Sequence, residues 1–377
     1  MTNPPCIRLY TLSARSVVRA LGRAHRSSAL RLPRPWPPCG TPVAPAGRET
    51  RVFSSSDGNI GVPIITSPKN PLVKRFVKLR SSAAQRTQEG SVVVTGEVML
   101  RELLDSLGPE LRIKTMLCSE EYAPEVRSEA AGPPSPHPPR AASAVSDPLP
   151  APPPAPQEGS GEWEAMGRAG QVIRCSRAVL GRAAGIETAD TLDVIAEVGT
   201  PARASLGPGW GGTRVLALDR VQDPGNLGTL LRTAAAFGWD AVYLLPGCCD
   251  PFNDKALRAS RGAAFKLALA GGDVEGLRGV AREHQLAMVA AAVAPGGGTG
   301  RGGGGRARGL CLVMGSEGQG LSEEVAAACQ PVEIPMSGDM ESLNVGVAGG
   351  ILMFALGAPG AVDQLRAQAK SLGAWGG

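Results

Sequence analysis

Apolar and polar residues alternate along the first half of the chain with spacings that predict a small α/β domain. Positions 73–79 and 98–107 repeat apolar residues at helical intervals, and the β-branched run at 91–95 predicts a strand. Further strands are predicted at 111–118, 171–173 and 194–198.

From residue 214 onward the pattern changes to a regular succession of strand, loop and helix. An apolar strand at 215–218 precedes a polar loop rich in glycine and proline at 219–228, and a helix at 229–237 ends before Gly238. Strands follow at 241–245, 287–293 and 310–314. This alternation predicts a parallel sheet that binds its ligands at the carboxyl ends of the strands. The apolar segment at 343–356 predicts a buried core helix, because it is too short to span a bilayer.

Two segments of biased composition interrupt these patterns. Eleven of the 27 residues between 131 and 157 are proline, which excludes a helix or a sheet interior. We interpret the segment as a surface insertion within the small domain, with an interdomain linker as the alternative. Residues 295–309 contain nine glycines and three arginines. This second tract is interpreted as a solvated loop, with a flexible RNA-binding segment as the alternative.

The N-terminal 56 residues have the composition of an organelle-targeting leader. They contain nine arginines, no lysine and one acidic residue, Glu49. We therefore predict a disordered transit peptide over residues 1–56 that directs the chain to the mitochondrion. A chloroplast transit peptide and a retained RNA-binding arm are the alternatives.

Bulk composition narrows the classes of function without selecting one. The formal net charge of +5 is compatible with an RNA partner. The eight cysteines form no CxxC pair, and the three histidines lie in regions of different composition. We expect reduced thiols, no metal site and no membrane segment.

Three polar clusters in the second half combine glycine with Asn, Arg, Glu or Ser. They occupy residues 219–228, 314–322 and 334–344, and the first and second directly follow predicted strands. Each cluster alone would be explained by the residues that turns commonly contain. Three such clusters in one domain predict a single ligand-binding site. No GxGxxG follows the first strand and no GxxxxGK[ST] occurs, so neither a dinucleotide fold nor a P-loop is supported.

These clusters resemble the three motifs of the SpoU/TrmH branch of the SPOUT methyltransferases. The first is DPGNLGTLLRTAAAFG, the second VMGSEGQGLS and the third IPMSGDMESLNVGVAGG, in the family's order. KALRASRGAAF at 255–265 also resembles the family. Upstream, SPKNPLVKRFVKL, Arg86 and VVVTGEVMLRELL resemble the small L30e-like domain that precedes the catalytic domain in many members. The two insertions depart from the family, as does Gly346, where a serine or alanine often stands.

The resemblance implies an L30e-like RNA-binding domain over residues 62–200 and a SPOUT methyltransferase domain over 212–360. The SPOUT domain is an α/β parallel sheet whose C-terminal segment forms a trefoil knot. The knot's loops would bind S-adenosylmethionine, and the family works as a homodimer. By motif position, five residues are expected at the cofactor: Gly315, Gly320, Ile334, Met336 and Leu343.

The same resemblance places Arg232 at the ribose 2′-OH, and four other side chains shape the site: Asn226, Glu317, Ser342 and Asn344. Because a guanidinium resists deprotonation, we interpret Arg232 as a group that positions the ribose and binds phosphate rather than as the base.

The implied function is methylation of a ribose 2′-OH in organellar RNA. The upstream domain favours rRNA over tRNA. A non-catalytic RNA-binding assembly factor and an enzyme that methylates a base are the competing hypotheses.

Overall fold

The protein is described by a computed structural model, which covers residues 7–8, 64–122, 168–187, 191–292, 307–316, 318–334, 336 and 342–357. At residues 7–8 the predicted leader forms a two-residue strand that pairs with Val332 and Glu333, so the prediction of disorder was wrong at these positions. The rest of the leader lies outside the described residues. So do the proline-rich insertion and most of the glycine-rich tract.

The N-terminal part is a four-stranded sheet with helices on both faces. Its elements are α1 (Pro71–Ser81), α2 (Ala83–Glu89), β2 (Ser91–Thr95), α3 (Glu97–Leu107), a 3-10 turn (Gly108–Glu110), β3 (Ile113–Ser119), β4 (Gln171–Cys175), α4 (Arg177–Ala184) and β5 (Val194–Gly199). The strand order is β2-β5-β3-β4, in which only β3 and β4 are parallel. The predicted strands and two of the helices are therefore present, and α1 begins where Asn70 accepts a hydrogen bond from the backbone N–H of Leu72.

The C-terminal part is a seven-stranded parallel sheet. Its elements are β1 (Ile7–Arg8), β6 (Arg214–Leu218), α5 (Pro224–Ala236), β7 (Ala241–Leu244), α6 (Asp254–Ser260), a 3-10 turn (Ala263–Phe265), β8 (Ala268–Gly271), α7 (Val274–Glu283), β9 (Leu286–Ala292), β10 (Gly309–Met314), α8 (Glu323–Ala328), β11 (Gln330–Glu333) and α9 (Val345–Gly357). The strand order is β1-β11-β9-β10-β6-β7-β8, and every pair is parallel.

Both faces of this sheet are buried, as expected for parallel strands. Along β6, Leu216 and Leu218 point into the core formed with α5 and α9, whereas Val215 and Ala217 point into the core formed with α7 and α8. The predicted α/β fold with a parallel sheet is confirmed.

The two parts share one continuous core. Leu100 and Leu103 of α3 belong to the same buried cluster as Leu257 of α6 and Phe265. Leu103 lies so close to the end of α6 that a Cβ at Gly262 would approach its Cδ2 atom to 3.0 Å.

A buried ion pair also joins the two parts. Arg86, only 4% exposed, donates to Asp250 Oδ2 at 2.6 and 2.8 Å and to the carbonyls of Leu79 and Arg80 at 2.8 Å. Two further interactions cross the same boundary, since Arg261 pairs with Glu102 and Arg80 lies 4.0 Å from Asp254. The N-terminal domain is thus held against the side of the parallel sheet that carries α6.

Candidate functional site

The first polar cluster begins at the carboxyl end of β6, where α5 starts earlier than the sequence suggests. Asp223 is the N-cap, its side chain accepts the backbone N–H of Asn226 at 2.8 Å, and Pro224 occupies the first turn. The prediction of a loop up to residue 228 was therefore wrong, because an Asp-Pro pair suits a helix start as well as a turn. Arg232 consequently lies in the third turn of α5, not one turn into it.

Asp223 is also bound from the neighbouring helix. Lys255 Nζ of α6 lies 3.1 Å from Asp223 Oδ2. The hydrogen bond from the backbone of Asn226, followed by that from Lys255, lowers the pKa of the Asp223 carboxyl. The start of α5 therefore carries a carboxylate that holds both Asn226 and α6.

The second cluster forms a tight loop at the carboxyl end of β10. Ser316 and Gly320 exchange two backbone hydrogen bonds, of 3.0 and 3.2 Å, across it. A Cβ at the buried Gly315 would lie 2.6 Å from the backbone of Gly320 and 2.8 Å from the nitrogen of Leu321. Glycine at 315 is thus required by the packing of the loop on itself, a reason that does not depend on a ligand.

The first and second clusters are tied together by a buried carboxylate. Asp219, which is 4% exposed, accepts the backbone N–H of Ser322 at 2.6 Å through Oδ2. Ser322 is the N-cap of α8, with Glu323 and Glu324 in the first turn, but its hydroxyl makes no capping bond. The sequence motifs did not identify Asp219 as a site residue, and its one local signal was its position directly after a buried strand.

The first and third clusters meet through two asparagines. Asn344 Nδ2 donates to Asn226 Oδ1 at 3.0 Å. Asn344 Oδ1 in turn accepts the backbone N–H groups of Gly346 at 2.9 Å and Val347 at 3.3 Å, at the start of α9. All three polar clusters therefore converge on one edge of the sheet.

The remaining candidate residues differ in their exposure to solvent. Arg232 is exposed, and within the described part of the chain it has no hydrogen bond or ion pair. Ser342 and Leu343 are exposed, whereas Ile334 and Met336 are half-buried. Glu317 lies outside the described residues, as does the whole segment 337–341.

Helix α9 packs closely on α5 but is not fully buried, so the expectation of a core helix was wrong for one face. A Cβ at Gly349 would lie 2.3 Å from Leu230 Cδ2, which shows how close the two helices are. The opposite face carries four large apolar residues that are 37–53% exposed: Leu343, Val347, Ile351 and Phe354. Phe354 also contacts the exposed Phe237 at a ring-centroid distance of 5.7 Å.

Within the described residues, no group of three or more His, Cys, Asp or Glu side chains is arranged to hold a metal ion. Across the same residues, every helix is too short or too polar to cross a lipid bilayer.

Similarity to known proteins extends over the segment that contains the three polar clusters. The sequence model described as the SpoU rRNA Methylase family matches residues 213–354. The 23S rRNA (guanosine(2553)-2'-O)-methyltransferase RlmP of Bacillus subtilis is 35% identical over 147 residues, which are 38% of this chain and 57% of that protein. The 23S rRNA (guanosine-2'-O-)-methyltransferase RlmB of Xanthomonas campestris is 39% identical over 142 residues, or 37% of this chain and 56% of that protein. The chain thus aligns with little more than half the length of these relatives.

Solved structures extend the likeness to both parts of the fold. An AdoMet-bound rRNA methyltransferase from Sinorhizobium meliloti is 26% identical with a TM-score of 0.56, covering 78% of this chain and 96% of that chain. The SpoU methyltransferase AviRb from Streptomyces viridochromogenes shares the fold at 19% identity, with a TM-score of 0.54 and coverage of 79% and 100%. The fold of this chain is therefore that of the SPOUT methyltransferases. Residues 213–354 of this chain are therefore similar to the SpoU rRNA Methylase family.

Proposed function

We propose that the protein transfers a methyl group from S-adenosylmethionine to a ribose 2′-OH of rRNA in an organelle. The proposal rests on the convergence of the three family motifs at the carboxyl ends of the parallel strands. Two hydrogen bonds, Ser322 to Asp219 and Asn344 to Asn226, hold the motifs together there. Ligands of open parallel sheets bind at that edge.

The residues at this edge suit the cofactor. An added Cβ at Gly320, whose φ is +63°, would meet no heavy atom of the described residues within 4 Å, so none of these residues fills the space beside the loop after β10. Ile334, Met336 and Leu343 offer partly exposed apolar surface for an adenine ring, and the backbone of residues 315–320 offers polar groups. The Sinorhizobium meliloti neighbour was solved with AdoMet bound, which supports the same cofactor here.

When bound, S-adenosylmethionine supplies a methyl group that is already activated for transfer. The protein's contribution is then to position the acceptor. In our proposal, the exposed Arg232 guanidinium holds the ribose and an adjoining phosphate with its planar set of donors. Asn226 and Asn344 hold the start of α5 and the start of α9 in fixed register beside it. The proton of the 2′-OH passes to an RNA phosphate oxygen or to water.

Ribosomal RNA is the proposed substrate, because two relatives above 30% identity carry names that specify 2′-O methylation of 23S rRNA. A tRNA substrate is the alternative. The N-terminal domain, which we propose is L30e-like and binds RNA, is fixed to the catalytic domain by Arg86 and Asp250. A rigid pair of domains would present one continuous surface to a folded RNA.

A second copy of the chain is the proposed occupant of the exposed apolar face of α9. The face begins at Leu343, directly beside Asn344 of the site, and continues to Phe354 and Phe237. Contiguous apolar surface of this kind marks an interaction site. A homodimer formed there would place the partner next to the catalytic edge.

Organellar location is proposed from the composition of residues 1–56, with the mitochondrion preferred to the chloroplast. N-terminal sequencing of the protein from purified organelles should give a mature chain that starts near residue 53, after Arg51. A mature chain that still begins near Met1 would show that the leader is retained.

Methyl transfer by the purified protein tests the reaction itself. The protein is incubated with labelled S-adenosylmethionine and organellar rRNA or tRNA, and the RNA is digested to nucleosides. We expect label in a 2′-O-methylnucleoside from rRNA. Label in a methylated base, or cofactor binding without any transfer to either RNA, would contradict the proposal.

A further inference from the structure

Asp219 occupies the end of the central strand pair and fixes the loop that follows the neighbouring strand. Its backbone N–H donates to the carbonyl of Met314 at 2.9 Å, which extends the β6–β10 ladder by one residue. Its buried carboxylate accepts the N–H of Ser322 at 2.6 Å. The strand end and the start of α8 are therefore both attached to one residue.

Arg220 holds the middle of the same loop. Its guanidinium donates to Gln319 Oε1 at 3.2 Å and to the carbonyl of Gly320 at 3.4 Å, and its Nε atom lies 3.5 Å from Asp219 Oδ1. The backbone of Arg220 has φ +56°, an uncommon conformation for a residue with a side chain. Strain of this kind persists where surrounding contacts impose it.

We propose that Asp219 and Arg220 are positioning residues that set the shape of the loop at 315–322 before S-adenosylmethionine binds. The inference rests on the proposed function, which assigns the cofactor to this loop. Three contacts carry it: Asp219 holds the loop's end at Ser322, and Arg220 holds Gln319 and Gly320. Neither residue needs to touch the reacting atoms.

The position of the pair predicts a selective effect on the cofactor. Arg232 and the Asn226–Asn344 pair lie on α5 and at the start of α9, outside the 315–322 loop. Loss of the Asp219 carboxylate leaves the Ser322 N–H without this acceptor, so the loop samples conformations that cannot bind the cofactor. The apparent affinity for S-adenosylmethionine then falls in proportion to the fraction of molecules whose loop keeps the binding-competent shape.

The test measures S-adenosylmethionine binding by calorimetry and methyl-transfer kinetics for Asp219→Ala, Asp219→Asn and Arg220→Gln. Asp219→Ala should raise the Kd and the KM for S-adenosylmethionine at least tenfold, while kcat at saturating cofactor and the KM for RNA stay within about twofold. Asp219→Asn keeps an oxygen acceptor for Ser322 and should lose less affinity than alanine. Arg220→Gln, at a side chain that is 31% exposed, carries the test if Asp219→Ala does not fold.

Hydrogen exchange without cofactor provides a readout independent of activity. The backbone amides of Gly320 and Ser322 should exchange faster in Asp219→Ala than in the wild type, while the amides of β6 and β10 keep their protection. If the wild type binds S-adenosylmethionine and Arg220→Gln, together with Asp219→Ala where that variant folds, binds it as tightly as the wild type, the positioning role is overturned and the proposed function stands. A wild type that binds no S-adenosylmethionine would instead overturn the proposed function.

Discussion

Asn344 donates a 3.0 Å hydrogen bond to Asn226, joining two residues that are 118 positions apart in the sequence. Asn226 lies in the first turn of α5, and Asn344 caps the first turn of α9. The bond therefore fixes the first and third motifs in one register. We expect displacements of α9 to alter the position of the acceptor site through this hydrogen bond.

Asn344→Asp separates the two roles of this side chain. Aspartate still caps α9, because it accepts the N–H groups of Gly346 and Val347, but it cannot donate to Asn226. We expect stability close to wild type and methyl transfer at least tenfold slower. Asn344→Ala also removes the cap and should cost about 1 kcal/mol of stability in addition. Denaturant unfolding and single-turnover rates distinguish the two variants. Full activity in Asn344→Asp would show that the hydrogen bond from Asn344 to Asn226 is not needed for methyl transfer.

Arg232→Ala should abolish methyl transfer without changing cofactor affinity. A positioned cation near the reacting oxygen contributes about 3–4 kcal/mol by analogy with other electrostatic stabilisers. That corresponds to a rate loss on the order of a hundredfold or more. Single-turnover rates with saturating RNA keep weaker binding from being mistaken for slower chemistry. Arg232→Lys should restore little, since an ammonium lacks the planar fork.

Arg282→Ala is the matched control for that experiment. Arg282 is a 73% exposed arginine on α7, and it pairs with Glu275 on the same helix. Its loss should leave the single-turnover rate within twofold of wild type. Equal losses in both variants would mean that Arg232 acts only as a general surface charge.

Phe354→Asp and Val347→Asp should convert the proposed dimer to a monomer. A charge placed in an apolar contact between two copies would be buried without a partner. Light scattering after size exclusion measures the mass, and Val98→Asp, at an apolar residue of α3 that is 65% exposed, is the control. A wild type that is monomeric at micromolar concentration would contradict the assigned interface.

Arg86→Ala should destabilise the junction between the two domains. Removing one partner of a buried, hydrogen-bonded ion pair typically costs about 3–5 kcal/mol. Arg86 is 4% exposed and also binds two carbonyls, so we expect a loss in that range by urea unfolding. A change no larger than that of Arg282→Ala would show that the shared apolar core and the other two charged contacts hold the domains together without Arg86.

The Asp223 cap should contribute to stability in a way that depends on pH. Its pKa is lowered in the folded protein, so the contribution of the charge is present above the unfolded pKa and is lost as pH falls through the folded pKa. Asp223→Asn keeps the capping oxygen but not the charge. The difference in unfolding free energy between wild type and Asp223→Asn should therefore be present at neutral pH and vanish in acid. A difference that is constant with pH would exclude this role for the charge.

The sequence predicted those parts of the fold that depend on local pattern. The strand at 91–95 and the alternation after residue 214 follow from spacing alone, and the structure has them. The early start of α5 was missed because Asp, Pro and Gly serve turns and helix starts equally. The exposed face of α9 was missed because a helix that is apolar all round does not show which side the protein covers.

The site residues were predicted from a family resemblance, not from local sequence pattern. Arg232, Asn226 and Asn344 were predicted as site residues from the resemblance to a family. The structure shows that Asn226 and Asn344 are in contact. Asp219 and Lys255 were not singled out, because their roles depend on distances between loops that lie far apart in sequence. The role of Glu317 and the trefoil knot stay predictions.

Mapping of 2′-O-methyl groups in organellar rRNA tests whether the protein methylates ribose in this RNA. The comparison uses cells that lack the protein, complemented with the wild type or with Arg232→Ala. We predict that one or more ribose methylations disappear without the protein, return with the wild type and do not return with Arg232→Ala. An unchanged map in cells that lack the protein, or equal restoration by Arg232→Ala, would contradict it.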